Sequence, residues 1–122
     1  MAKGVMRMIT SRLEGNIVYI DIDGAFSADG LYTQSKRWLD SHRDEYVGYL
    51  VDISKMTEHS AVEQKKAEEL TRQLNSGKPR AVVGKDTATS ALINIYMRFT
   101  NAKGIKYFSN FDDAKTWLLA QG

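Results

Sequence analysis

Apolar positions along the chain gather into short runs whose spacing alternates between two kinds. Residues 6–13 and 17–23 carry the alternation of strands, and Glu14-Gly15-Asn16 between them is a short glycine-containing link of the sort that closes a hairpin. In the second run Val18, Ile20 and Ile22 share one face, while Ile17 and Tyr19 make the other face apolar too. A strand apolar on both sides belongs inside a sheet. Residues 47–53 read as the central strand, because Tyr49-Leu50-Val51 leaves little polar face. Two further short strands are predicted at 80–84 and 105–108.

Helical spacing fills the intervals. Ser27 is placed to cap a first helix, with Phe26 stapling onto Leu31, and Leu31, Ser35, Trp38 and Leu39 line one side of it. Ser60-Ala61-Val62-Glu63 matches a capping box that opens a second helix to about residue 74, with a thin inward stripe of Ala67, Leu70 and Leu74. Gly77 and Pro79 then stop the chain from continuing as helix. A third helix is predicted from about Thr87 to Ala102, with Gly104 past its end. The last helix opens near Ser109-Asn110-Phe111-Asp112-Asp113, whose two acids suit the positive end of a helix dipole.

The order is β-β-α-β-α-β-α-β-α. It predicts an α/β fold over residues 1–122 as one domain: a single mixed, mostly parallel sheet with one antiparallel edge strand and helices packed on it.

Composition narrows the chemistry. With 122 residues, 43% apolar and 26% charged, the chain has the balance of a globular protein. It has no cysteine, so disulfides, thiolate metal sites and a cysteine nucleophile are excluded. Its two histidines, His42 and His59, lie far apart, which offers little to zinc. Apolar runs are as short as Ile17-Val18-Tyr19-Ile20, too short for a membrane span. The opening residues lack an apolar signal core and carry Ala2 where myristoylation needs glycine, so a cytoplasmic location is expected. Residues 1–61 hold seven bases and nine acids, whereas residues 62–122 hold ten and six. That basic excess reads as solvated surface rather than a nucleic-acid face, and no nucleic-acid partner is expected.

Several local sequences resemble the STAS fold, the anti-anti-sigma-factor domain, and within it the SpoIIAA-like branch. Gly24-Ala25-Phe26-Ser27 is similar to the family's step from second strand to first helix, and Leu50-Val51-Asp52-Ile53-Ser54 to the strand before its switch loop. The stretch from Tyr107 to Leu118 is similar to the family's phenylalanine, short acidic cap and terminal Ala-x-x-Trp-Leu helix. The resemblance implies a non-enzymatic binding or regulatory module. The family's Asp-Ser-Ser-Gly phosphorylation signature is absent: the matching region reads Met56-Thr57-Glu58-His59-Ser60-Ala61. Ser60 stands nearest the switch position, where a phosphate would sit at a helix N-terminus, but it also serves as a helix cap.

An enzyme reading competes. Ile17 to Gly24, with Asp21 and Asp23 two residues apart, resembles the first motif of haloacid-dehalogenase phosphatases, in which the first aspartate attacks phosphorus and the second acts as acid and base beside magnesium. The remaining parts of such a site are poorly supplied here. A receiver domain fails because only one helix separates Asp23 from Asp52, and a P-loop fails because Asp86 follows Gly84-Lys85 where a hydroxyl is needed.

Two binding surfaces are expected along the helix after residue 87. Ile93 and Met97, with Tyr96 on the flank, lie opposite its inward stripe and form a candidate interface for a protein partner or a second copy of the chain, as a homodimer. Lys85, Thr87, Thr89 and Ser90 at its start form a candidate anion site for a small ligand. The expectation is a STAS-like module that binds a protein or a small apolar or anionic ligand, with no cofactor and no metal.

Overall fold

A computed structural model describes residues 8–58, 61–74, 77–84 and 104–121. Strands β1 (Met8–Glu14) and β2 (Ile17–Ala25) form the expected hairpin, paired from Met8 opposite Asp23 to Glu14 opposite Ile17. Gly15 makes its turn possible with φ of 61°, a conformation that costs glycine nothing sterically. Helix α1 (Ala28–His42) follows, with a short 3-10 turn at Arg43–Glu45. Then come β3 (Gly48–Glu58), α2 (Ala61–Leu74), β4 (Arg80–Val83), β5 (Ile105–Phe108) and α3 (Phe111–Gln121).

The strands make one sheet in the order β1-β2-β3-β4-β5, antiparallel at the β1 edge and parallel elsewhere. The fold class is therefore the mixed α/β sheet with an antiparallel edge strand, and β3 stands at its centre. The helix predicted between Thr87 and Ala102 lies outside the described residues.

Strand alternation divides the core in two. On one face Val18, Ile20, Ile22, Tyr49, Val51 and Ile53 pack beneath Leu31 and Trp38 of α1. On the other, Ile17, Tyr19, Leu50, Ala81 and Val83 pack against Ala114 and Leu118 of α3. Full burial of each large apolar side chain contributes about 1.5–3 kcal/mol. Tyr19 and Tyr49 are thus core residues. α2 packs mainly along α1. Of its inward stripe only Ala67 is fully buried, with Leu70 and Leu74 partly covered.

β3 is longer than its apolar pattern indicates. The sequence signal ends at Ile53, yet the strand runs to Glu58, paired with the end of β2 through Asp23 with Lys55, Gly24 with Met56 and Ala25 with Glu58. Register shifts precede and interrupt this extension, which is held by backbone pairing and by Met56 packing on the core. What resembled a switch loop after Ile53 is therefore strand as far as Glu58.

A polar cluster lies at the opposite end of the sheet. The Tyr49 hydroxyl is 2.7 Å from that of Tyr46 and donates to the Ser35 carbonyl at 3.1 Å. Buried Arg80 donates to Ser35 Oγ at 3.2 Å and lies 5.0 Å from the Tyr49 ring centre. Lys78 Nζ donates to the carbonyls of Arg43 and Tyr46, tying the start of β4 to the end of α1. Among the described residues, no helix is long and apolar enough to cross a membrane.

Candidate functional site

The first turns of α1 and α2 are fastened together. Gly24, with φ of 90°, ends the regular part of β2, and Ser27 follows in extended conformation as the cap of α1. Its Oγ accepts from the Gly30 amide at 3.1 Å, as the sequence predicts. Phe26 packs on the core cluster that contains Leu31, in keeping with the expected staple. Glu63, from the first turn of α2, accepts the Ala28 amide through Oε1 at 2.9 Å. Lys66 Nζ donates to Asp29 Oδ2 at 2.7 Å, a contact that raises the lysine pKa. Side chains of the chain itself therefore already satisfy two amides in the first turn of α1.

This arrangement leaves a defined surface. Val62 is 75% exposed, while Glu63 beside it is turned to α1. Lys65 and Lys66 lie exposed one turn on. Ser60 precedes the first residue of α2 in sequence and lies outside the described residues, as do Lys85, Thr87, Thr89, Ser90, Ile93, Tyr96 and Met97. Gly84, just before the predicted anion loop, is buried and donates its amide to the Phe108 carbonyl at 3.3 Å.

Asp21 and Asp23 lie on β2 before its last residues, not at its exit. Asp21 Oδ2 accepts from Arg12 Nη1 at 2.7 Å, diagonally across the hairpin. Arg12 also pairs with Glu14, and that hydrogen bond is the main cause of its raised pKa. Asp52, level with Asp21 on β3, accepts the Ser54 amide through Oδ1 at 2.9 Å. Arg12, Asp21, Asp23 and Asp52 line a hollow of about 300 Å³ with Thr10, Ile22 and Lys55. Among the described residues no three carboxylate or imidazole groups gather as a metal ion would require.

Sequence reasoning placed Asp21 and Asp23 correctly on one strand but missed Arg12, whose diagonal position follows once the hairpin register is known. It also missed Lys55, which becomes a neighbour of Asp23 only because β3 continues past Ile53.

No family model and no curated protein matches the chain. Solved structures do. An uncharacterised protein of the DUF3478 family with a SpoIIAA-like fold, from Shewanella loihica PV-4, superposes with a TM-score of 0.65 at 18% identity, over 97% of this chain and 98% of that one. The anti-sigma factor antagonist SpoIIAA in its unphosphorylated form superposes with a TM-score of 0.61 at 5% identity, over 93% of this chain and 98% of that one. At such identities the likeness is one of architecture, and with the strand order and helix placement described above it shows that the chain adopts the SpoIIAA-like, STAS fold.

Proposed function

We propose that this chain is a non-enzymatic regulatory module of the cytoplasm that docks a protein partner on the joined first turns of α1 and α2. The observation that carries the reading is Val62, 75% exposed at the start of α2, beside the start of α1, where Glu63 and Ser27 already satisfy two first-turn amides. An exposed aliphatic side chain with charged neighbours suits the centre and rim of a protein contact. It is also where the STAS resemblance puts the switch serine, and Ser60 is proposed as the residue that a phosphate would use to repel the partner.

The test is co-purification from the native host with wild type, Val62→Asp and, as control, Leu119→Asp. Leu119 is 49% exposed on α3, away from the proposed surface. A stoichiometric partner kept by wild type and control but lost from Val62→Asp is expected. Equal retention by all three proteins overturns the docking site. Magnesium-dependent hydrolysis of a phosphate ester, abolished by Asp21→Asn, would overturn the non-enzymatic reading in favour of a haloacid-dehalogenase-type phosphatase.

The proposal extends to self-association through Ile93, Tyr96 and Met97, for which Met97→Glu should yield a smaller species in solution. It also includes an anion site at Lys85, Thr87, Thr89 and Ser90, whose amide resonances should move when phosphate is added.

A further inference from the structure

The hollow over the second half of β2 is on the sheet, remote in kind from the helix-end surface, and its charges are arranged for a different ligand. Two of its acids are already engaged: Asp21 by Arg12 at 2.7 Å, and one oxygen of Asp52 by the Ser54 amide. Asp23 and Lys55 are register neighbours on adjacent parallel strands, and among the described residues neither side chain has a hydrogen bond or ion pair. Among the described residues the lining thus offers, beside the Arg12–Asp21 ion pair, the carboxylate of Asp23, the second oxygen of Asp52 and the ammonium of Lys55 to a ligand.

That pattern selects by charge. A divalent cation would want at least three converging acids and would meet the ammonium of Lys55 instead. A phosphate would meet Asp23 and Asp52. A purely apolar molecule would bury charges without compensation. The remaining fit is a molecule with a cationic end for the two aspartates and an anionic end for Lys55. About 300 Å³ corresponds to roughly ten water volumes, space for a molecule the size of an amino acid. We propose that this hollow is a binding site for a small zwitterion of amino-acid type, its ammonium held by Asp23 and Asp52 and its carboxylate by Lys55.

The experiment follows amide chemical shifts of the full chain by NMR while L-alanine, L-serine and L-lysine are added in turn. Ethylamine, propionate and magnesium chloride serve as separate probes. At least one amino acid should move the amides of Thr10, Asp23, Asp52 and Lys55. Binding should weaken roughly tenfold or more in Asp23→Asn and in Lys55→Met, and for either half-ligand alone. Both substituted positions are exposed strand residues, and unchanged shifts elsewhere would verify that the variants fold. The proposal is overturned if no amino acid moves these amides or if Lys55→Met binds as well as wild type. It is equally overturned if ethylamine or magnesium alone reproduces the shifts at equal affinity.

Discussion

Glu63 Oε1 accepts the backbone amide of Ala28 at 2.9 Å, so the first turn of the second helix caps the first. Ser60-x-x-Glu63 reads in sequence as a capping box local to α2, whereas the fold brings Glu63 to the N-terminus of a neighbouring element thirty-five residues away. A carboxylate there satisfies a first-turn donor and meets the positive end of the α1 dipole.

Glu63→Ala should therefore lower the unfolding free energy by about 1 kcal/mol, the usual cost of a lost cap. Glu63→Gln keeps an acceptor oxygen and gives up only the charge, so its loss should be about 0.3–1 kcal/mol. Urea denaturation of the three proteins measures both. Equal losses would assign the effect to charge alone.

Gly48 opens β3 where the backbone of Pro79 passes close by. A Cβ at this position would come within 2.6 Å of the Pro79 carbonyl oxygen and 2.9 Å of Leu118 Cδ2. Since the nearest atom is backbone, relief requires β4 or α3 to shift. Gly48→Ala should destabilise by about 1–3 kcal/mol, as overpacked sites do. Thermal unfolding tests it, and a melting temperature equal to wild type would contradict the tight approach.

Burial, and then the hydrogen bond with Tyr46, push the Tyr49 hydroxyl far above the ordinary tyrosine range, and burial raises Tyr46 as well. In the folded state the neutral phenol is favoured. Unfolded tyrosine ionises near pH 10, so above about that pH the unfolded chain has released a proton that the folded chain retains. Stability is unaffected by these groups below about pH 10 and falls as pH rises beyond it. Tyr49 should yield tyrosinate absorbance only as the fold opens. An alkaline absorbance change in folded wild type larger by one tyrosine than that in folded Tyr49→Phe would count against this.

Tyr49→Phe removes that hydroxyl from between Tyr46 and the Ser35 carbonyl. The expected loss is about 1–3 kcal/mol, because buried partners are left without it. The variant should also lose part of the alkaline destabilisation. Denaturant melts at neutral and alkaline pH check both effects together.

The Arg12 pair with Asp21 joins side chains 48% and 41% exposed, where water and salt screen the attraction. Arg12→Ala should change stability by less than about 1 kcal/mol. A larger loss that persists at high salt would show that packing of Arg12 on the Tyr19 ring, 4.7 Å away, carries the effect.

Legibility differed between elements for identifiable reasons. β2 and the first part of β3 were readable because both faces are buried, which leaves dense apolar runs such as Ile17 to Ile20 and Tyr49 to Val51. α1 was readable at its start because Ser27 performs the local capping that its type and place suggest. α3 begins at Phe111, where Asn110 Oδ1 accepts the Asp113 amide at 2.9 Å, within the span read as its opening. The second half of β3 was hidden, since Ser54 and Lys55 show no strand alternation and the pairing comes from the long arm of β2.

Local and periodic features, then, were determined by the sequence alone: the hairpin of β1 and β2, the apolar first part of β3, the short strands β4 and β5, the helices α1, α2 and α3, which strands sit inside the sheet, and where Ser27 caps. Tertiary structure decided what depends on distant partners: the register that sets Arg12 on Asp21 and Asp23 beside Lys55, the reach of Glu63 to Ala28, and the exposure of Val62. Periodicity reports whether a side chain faces core or water. It carries no record of which neighbour waits there, because that is fixed only when backbone pairing and helix packing bring remote segments together.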